Sequence, residues 1–226
     1  CKMTETDVLR LGKDICSALS ICAKKGIIHR DIKPDNIFID EYGNFKLGDF
    51  GVARKLERTM DNMSRKGTYT YMAPEVYREE HYDTRADIYS LGTVMYKLLN
   101  NNRLPFLPPY PAPISLSDRE QSFAKCMRGE AFPTPANADF KLTNIISKAT
   151  AFRADERYIS PLAMLSQLET YTPYQQSSPV MPKAGNFEIA GAPGIRFDSY
   201  EYPAEEETEE SYDEVYDNDY DDEEEP

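Results

Sequence analysis

The spacing of apolar residues predicts that much of the chain up to about residue 170 is helical. Near the N-terminus, one apolar face recurs at intervals of three or four residues: Val8, Leu11, Ile15, Ala18, Leu19 and Cys22. That interval is the period of a helix face. Thr4 with Asp7 resembles an N-cap, and Gly26 after two lysines suits a helix end. We therefore expect a helix over about residues 4–24.

Short strands are predicted next. Ile27 and Ile28 form an apolar pair, and the apolar runs 37–39 and 45–47 flank a polar, turn-rich segment. Those two runs predict a hairpin. Residues 48–71 show no apolar period, so we interpret them as a long loop, a feature that is usually functional in a compact domain.

The following segments are predicted to be mainly helical. Residues 84–100 carry apolar side chains on nearly every face, as a buried central helix does, whereas the proline-rich segment 104–114 cannot be helical. Three shorter helices are expected over residues 117–127, 142–149 and 161–169. The first is expected to open with a capping box of Ser117 and Glu120, and the last with Ser160 as its N-cap.

Composition changes sharply near residue 171. Residues 172–196 are rich in Pro, Gly and Ser, and residues 197–226 hold 16 acidic and no basic side chains. The excess negative charge lies in this last segment, which carries −16, whereas residues 1–196 hold 26 basic and 23 acidic side chains and carry +3; the whole chain carries −13. Segments with so few aliphatic residues cannot bury a core. We expect one domain over residues 1–171, a linker over 172–196 and a disordered, acidic, Tyr-rich tail over 197–226.

Several classes of protein have no support in these patterns. Residues 1–196 lack a basic stripe with interleaved aromatic residues, so nucleic-acid binding is not expected. No apolar run reaches the ~18 residues of a membrane-spanning helix, and no secretory leader pattern is found. The four cysteines form no Cys-x-x-Cys pair. We expect free thiols in a cytoplasmic protein, with Cys16 and Cys22 as small apolar core residues.

One short stretch carries the strongest chemical signal. Residues 29–36 read His-Arg-Asp-Ile-Lys-Pro-Asp-Asn and precede the predicted hairpin. On such a loop Asp31 can place a carboxylate near a hydroxyl, and Asn36 can place an amide oxygen near a metal. Asp49, which follows the hairpin and precedes Phe and Gly, supplies a second metal ligand. Mg²⁺ favours such oxygen ligands when it also keeps water and shares phosphate oxygens.

These two motifs resemble those of the eukaryotic-type protein kinase family. Three further motifs of the family follow in its order, over residues 67–75, 87–92 and 155–158. The resemblance covers about residues 4–170. It implies a mainly α (α+β) protein-kinase C-terminal lobe with a short β-hairpin at its catalytic face. The segments 100–114 and 131–138 are similar to those of bacterial serine/threonine kinases.

The resemblance implies a role for each residue of the motifs. Asp31 would orient the acceptor hydroxyl and receive its proton, and Lys33 would steady the transferring phosphoryl group. Asn36 and Asp49 would hold Mg²⁺ against the phosphates of ATP. Thr68 would bond to Asp31 and Lys33 and shape the acceptor site. The implied ATP-binding residues are Lys33, Asn36, Asp49 and Phe38, the last of them under the adenine ring.

Other residues would support this arrangement. The resemblance implies a buried ion pair between Glu75 and Arg157, and it implies that Asp87 ties the backbone of the catalytic loop to the central helix. Arg30 would pair with a phosphate on the long loop, for which Ser64 is the candidate acceptor.

A complete kinase of this family also has an N-terminal lobe with a glycine-rich loop, a strand lysine and a helix glutamate. The sequence shows none of these motifs, so we expect a fragment of a serine/threonine kinase that binds Mg-ATP poorly alone. Its partners would be proteins with Ser or Thr acceptors, and the acidic tail would suit a basic partner. The alternative is a non-catalytic kinase-like scaffold, or a truncated regulatory protein, that binds partners through the exposed lobe or the tail.

Overall fold

Six α-helices and one two-stranded sheet form the part of the chain that the computed structural model describes, residues 3–49 and 68–172. The helices are α1 (Glu5–Lys24), α2 (Pro74–Tyr77), α3 (Arg85–Leu99), α4 (Leu116–Met127), α5 (Phe140–Ala149) and α6 (Pro161–Thr170). The strands are β1 (Ile37–Ile39) and β2 (Phe45–Leu47), and 3₁₀ turns cover Pro34–Asn36, Thr68–Tyr71 and Ala154–Glu156. The predicted mainly helical fold with one small hairpin is confirmed.

Some predictions concern residues outside this description. They are the phosphate acceptor Ser64, residues 50–67 of the long loop predicted over residues 48–71, the linker after residue 172 and the acidic tail. The side chain of Thr68 also lies outside the described residues. Within residues 3–49 and 68–172, no helix combines the length and the apolar character that crossing a bilayer requires.

α1 forms where the apolar period predicts it. The predicted N-cap at Thr4 forms, and with Asp7 it makes a capping box: the Thr4 hydroxyl accepts the Asp7 amide at 3.2 Å, and the Asp7 carboxylate accepts the Thr4 amide at 2.9 Å. The apolar face of the helix is buried and includes Val8, Ile15 and Cys16. Cys16 is a core residue as predicted, and burial raises the pKa of its thiol.

α3 is the centre of the fold. Twelve of its 15 residues are buried, and it packs against α1, α5 and α6. Gly92 allows α5 to come close, because a Cβ at this position would lie 2.7 Å from Cγ2 of Thr150 and 2.9 Å from Cβ of Ala149. A helix that is surrounded in this way needs apolar residues on nearly every face, which is the pattern in the sequence.

The predicted hairpin is fastened to α1. β1 and β2 pair antiparallel, with Ile37 opposite Leu47. In the turn, the Asp40 carboxylate accepts two backbone amides at 2.8 and 3.0 Å. The Asp14 carboxylate of α1 accepts the amide of Phe45 at 2.9 Å, so the long helix sets the position of β2.

The prediction of a strand at Ile27 and Ile28 is wrong. The Ile27 amide bonds to the Cys22 carbonyl at 2.9 Å, which caps the end of α1. The chain then continues as a loop without a partner strand among the described residues.

The predicted starts of α4 and α5 are also corrected. α4 is capped by Ser115 rather than Ser117: the Ser115 hydroxyl accepts the Asp118 amide at 3.1 Å, and the Ser115 amide donates to the Asp118 carboxylate at 2.8 Å. α5 begins two residues earlier than predicted, because Asp139 accepts the amide of Leu142 at 2.7 Å and caps the helix. The short helix α2 was not predicted.

We predict that Gly92→Ala lowers the free energy of unfolding by about 1–3 kcal/mol, because the added methyl group meets atoms of the α5 end that cannot move independently. Gly12→Ala is the matched control in α1. A Cβ at Gly12 would lie 2.9 Å from Cε of Met95, the flexible end of a long side chain that can rotate away. Chemical denaturation of both variants measures the difference. An unfolding free energy of Gly92→Ala at or above the wild-type value would contradict the packing described.

Candidate active site

The loop over residues 29–36 is held by a carboxylate of α3. Asp87 is only 2% exposed, and its two oxygens accept the amides of His29 and Arg30, each at 2.8 Å. Burial raises the pKa of Asp87, while the two amide hydrogen bonds act in the opposite direction. Hydrogen bonds to an ionised acceptor are roughly twice as strong as neutral ones. The central helix therefore sets the position of the backbone just before Asp31, as the resemblance implies.

Two residues of the predicted motifs have a left-handed backbone. The φ angle is 72° at Arg30 and 55° at Asp49. Such a conformation costs a non-glycine residue about 1–3 kcal/mol and persists where its surroundings hold it. At Arg30 the holding contacts are the hydrogen bond to Asp87 and the Tyr82 ring, whose centre lies 5.2 Å from the guanidinium. Both motifs that are predicted to carry chemistry thus contain a left-handed non-glycine residue, as do four other positions of the described residues.

Asp31, Lys33 and Asn36 form one hydrogen-bonded group. The Asn36 side-chain amide donates to the Asp31 carbonyl at 2.8 Å and to carboxylate oxygen Oδ2 at 2.9 Å. The Lys33 ammonium lies 2.8 Å from the same Oδ2. Among the described residues, none donates a hydrogen bond to Oδ1 of Asp31. One carboxylate oxygen is therefore held by Asn36 and Lys33, and the other receives no hydrogen bond from the described side chains.

The end of the hairpin brings the second motif to this group. The Gly48 amide donates to the Asn36 carbonyl at 2.9 Å, and Nε2 of His29 lies 3.0 Å from the Gly48 carbonyl oxygen. The Phe38 ring packs directly on Gly48, since a Cβ at this position would lie 2.5 Å from Cε2 of that ring. Asp49 follows Gly48 directly and is exposed. Its backbone thus begins at the same end of the hairpin as Asn36.

The side chains at this end fit a magnesium ion. The NH₂ group of Asn36 is used by Asp31, and its amide oxygen Oδ1 accepts no hydrogen bond within the described ranges. Asp49, which follows Gly48 at the same end of the hairpin, is exposed and brings a carboxylate to this part of the chain. Two oxygen donors leave most of the coordination shell to water and phosphate, which is how Mg²⁺ is commonly bound at nucleotides.

The structure brings together three of the predicted site residues, Asp31, Lys33 and Asn36. Asp49 directly follows Gly48, at the end of the hairpin where the Gly48 amide bonds to Asn36. Phe38 is 55% exposed, with its ring against Gly48. For Thr68 only the backbone is described, and it begins the 3₁₀ turn Thr68–Tyr71.

Sequence reasoning missed two contacts that position the site. One is the contact of His29 with the Gly48 carbonyl, and the other is the hydrogen bond from Phe45 to Asp14. The first joins residues 19 positions apart and the second residues 31 positions apart. Neither has a local pattern that signals it.

The segment after residue 68 is anchored by the expected ion pair. Arg157 donates to both oxygens of Glu75, at 2.6 and 2.8 Å, and to the carbonyls of Ala151, Phe152 and Arg85. Its guanidinium also lies 4.9 Å from the centre of the Tyr89 ring. A buried arginine with this many acceptors is fully compensated, so the chain near Glu75 is held firmly against α3.

Comparisons with known proteins agree with this geometry. Residues 1–167 match the family model of the protein kinase domain. The chain is 35% identical over 159 residues to serine/threonine-protein kinase PknB of Mycolicibacterium smegmatis, which covers 69% of this chain and 24% of that protein. It is 32% identical over 171 residues to PknB of Mycobacterium tuberculosis, covering 74% of this chain and 26% of that protein.

A eukaryotic relative matches over a shorter range. Serine/threonine-protein kinase shk2 of Schizosaccharomyces pombe is 38% identical over 110 residues, covering 48% of this chain and 18% of that protein. The chain thus spans about a quarter or less of the length of these curated relatives.

We predict that Asp87→Asn loosens the backbone at His29 and Arg30. Asparagine keeps one oxygen acceptor, so one of the two amides would face an NH₂ group instead. Hydrogen exchange at these two amides should accelerate about tenfold or more, which corresponds to ~1.4 kcal/mol. Asp83→Asn is the control, because Asp83 pairs with Arg85 at 2.7 Å and makes no bond to the loop. Unchanged exchange at both amides in Asp87→Asn would show that α3 does not hold the loop.

Proposed function

The chain belongs to the protein kinase family, and on that basis we propose that it carries the catalytic loop of a serine/threonine protein kinase. The proposed reaction transfers the γ-phosphoryl group of ATP to a Ser or Thr hydroxyl of a protein. The observation that carries the proposal is the group of Asp31, Lys33 and Asn36, in which one Asp31 oxygen is held and the other is open. Phosphoryl transfer depends mainly on positioning and on charge stabilisation, and this group can supply both.

Asp31 is the proposed base. Because Oδ2 is engaged by Asn36 and Lys33, Oδ1 is the oxygen left to accept the proton of the acceptor hydroxyl. The hydroxyl oxygen forms a bond to the γ-phosphorus, and the bond from that phosphorus to the β–γ bridging oxygen breaks, so that ADP leaves. Lys33 has an ammonium group with three donors, one of which is engaged by Asp31. The other two can bind oxygens of the transferring group.

Asn36 and Asp49 are the proposed Mg²⁺ ligands. When bound, Mg²⁺ would neutralise negative charge on the phosphates of ATP. The open amide oxygen of Asn36, the exposed carboxylate of Asp49 and the hydrogen bond between Gly48 and Asn36 support this assignment. Phe38, exposed beside the same end of the hairpin, is proposed to contact the adenine ring.

Thr68 is proposed to bond to Asp31 and Lys33 on the acceptor side of the site. It begins the 3₁₀ turn Thr68–Tyr71, and the chain after this turn is anchored by the ion pair of Glu75 and Arg157. Such an anchored segment can present a stable surface to the acceptor protein. The proposed partners are accordingly proteins that carry Ser or Thr acceptors.

The proposal is tested with the full-length protein, produced from its complete coding sequence and assayed with radiolabelled ATP and a protein acceptor. Asp31→Asn and Asp49→Ala should each lower kcat by about 100-fold or more, the usual contribution of a positioned base or charge-stabilising group. Glu41→Gln, in the exposed turn of the hairpin, is the control and should keep wild-type activity. Robust transfer by either aspartate variant would contradict the assigned roles. A wild-type protein that binds partners but transfers no phosphate would favour the scaffold alternative.

A further inference from the structure

Lys97 is a cation in an otherwise apolar part of α3. Its ammonium donates a hydrogen bond to the Tyr71 hydroxyl at 2.9 Å and lies 5.6 Å from the centre of the Tyr71 ring. Tyr71 is 8% exposed and belongs to the hydrophobic core, so its hydroxyl is a fixed point. Lys97 itself is partly buried. The core therefore holds this ammonium in one place, unlike the ammonium of a freely exposed lysine.

This cation lacks a counter-charge in the part of the chain that the structure describes. No carboxylate of the described residues lies within 4.0 Å of the Lys97 ammonium, and Tyr71 uses one of its three donors. Partly buried cations are normally paired, because removal from water costs free energy that a neutral partner compensates only in part. Two donors and one positive charge are thus available for an anion.

Arg103, six residues after Lys97, is a second cation near the end of α3. The Asn100 amide bonds to the Lys97 carbonyl at 3.1 Å, and the Arg103 amide bonds to the Asn100 carbonyl at 2.9 Å. The Arg103 guanidinium donates to the carbonyl of Ala112 at 2.8 Å, and within the described ranges it also has no carboxylate within 4.0 Å. The end of α3 and the turn after it therefore carry two cations, neither of which has a carboxylate of the described residues within 4.0 Å.

The contact with Tyr71 places this region relative to the proposed active site. Tyr71 ends the 3₁₀ turn that begins at Thr68, which the proposed function puts on the acceptor side. Asp87, which holds the backbone next to Asp31, is ten residues before Lys97 on the same helix. That separation is about 15 Å along the helix axis. An extended peptide covers the same length in about five residues.

We propose that Lys97 is a specificity-determining residue that binds an acidic side chain of the acceptor protein, within about five residues of the Ser or Thr that is phosphorylated. The inference rests on the proposed kinase function. The ligand chemistry is a carboxylate, which would accept hydrogen bonds from the two remaining ammonium donors, with Arg103 adding to the local positive potential.

The test uses the full-length protein and a set of serine peptides with neutral flanking residues. Each peptide carries one Glu at a position from one to six residues on either side of the acceptor, and a matched peptide carries Gln at the same position. Wild-type protein should prefer Glu over Gln about three- to tenfold in kcat/KM at one or two adjacent positions, mainly through KM. Lys97→Gln should abolish this preference, Lys97→Arg should retain it, and Lys97→Glu should favour a Lys peptide instead.

Control measurements separate binding from a structural role. Lys24→Gln, at the exposed end of α1, should leave the preference unchanged. A cation in the last turn of α3 also complements the helix dipole. If that were its only role, Lys97→Gln would lower the thermal midpoint and slow transfer to Glu and Gln peptides equally.

Two results would overturn the inference. The first is an equal Glu-to-Gln ratio in the wild type and in Lys97→Gln while both proteins phosphorylate the peptides. In that case the proposed kinase function would stand and only the role of Lys97 would fail. The second is the absence of transfer to any peptide or protein acceptor, which would remove the proposed function and this inference together.

Discussion

The two hydrogen bonds from the His29 and Arg30 amides to the Asp87 carboxylate are the constraint on which the site depends. They join residues 57 and 58 positions apart in the sequence. Asp87 lies on the most buried helix of the described structure. The loop is therefore anchored to the core and not to another loop. With the backbone set at Arg30, the turn that follows brings Lys33 and Asn36 within hydrogen-bond distance of Asp31.

The hairpin gives the candidate site a second support. Asp14 fastens β2 to α1, and the Gly48 amide fastens the end of the hairpin to Asn36. α1 packs on α3. The loop that carries Asp31 and the hairpin that precedes Asp49 are therefore held by two helices that contact each other. Since Asp87 of α3 holds the backbone just before Asp31 and Asp14 of α1 holds the start of β2, packing in the core and geometry at the site are coupled.

The elements that could be predicted from the sequence have local physical causes. α1 and α3 follow from their apolar periods, and the hairpin follows from two short apolar runs around a polar turn.

The wrong predictions concern positions where two local structures are both compatible with the sequence. Ser115 and Ser117 each have an acidic residue three positions later, and spacing alone does not choose between them. The pair Ile27 and Ile28 has the composition of a strand, but the loop it leads into bonds to a side chain of α3 instead of a neighbouring strand. The site residues were found through their motifs, whereas the contact between Lys97 and Tyr71 spans 26 positions and has no local signature.

Asn36 and Asp49 are proposed to hold one nucleotide-bound metal ion near Asp31. The most direct measurement is paramagnetic broadening of NMR signals in isotope-labelled full-length protein on titration with ATP and Mn²⁺, which replaces Mg²⁺. If the proposal holds, the signals of the Asn36 side-chain amide and the Asp49 carboxyl carbon broaden first, before those of the side-chain amides of Asn44 and Asn137. Broadening that begins elsewhere, or that leaves the Asn36 and Asp49 signals sharp while nucleotide is bound, would show that these residues do not hold the metal.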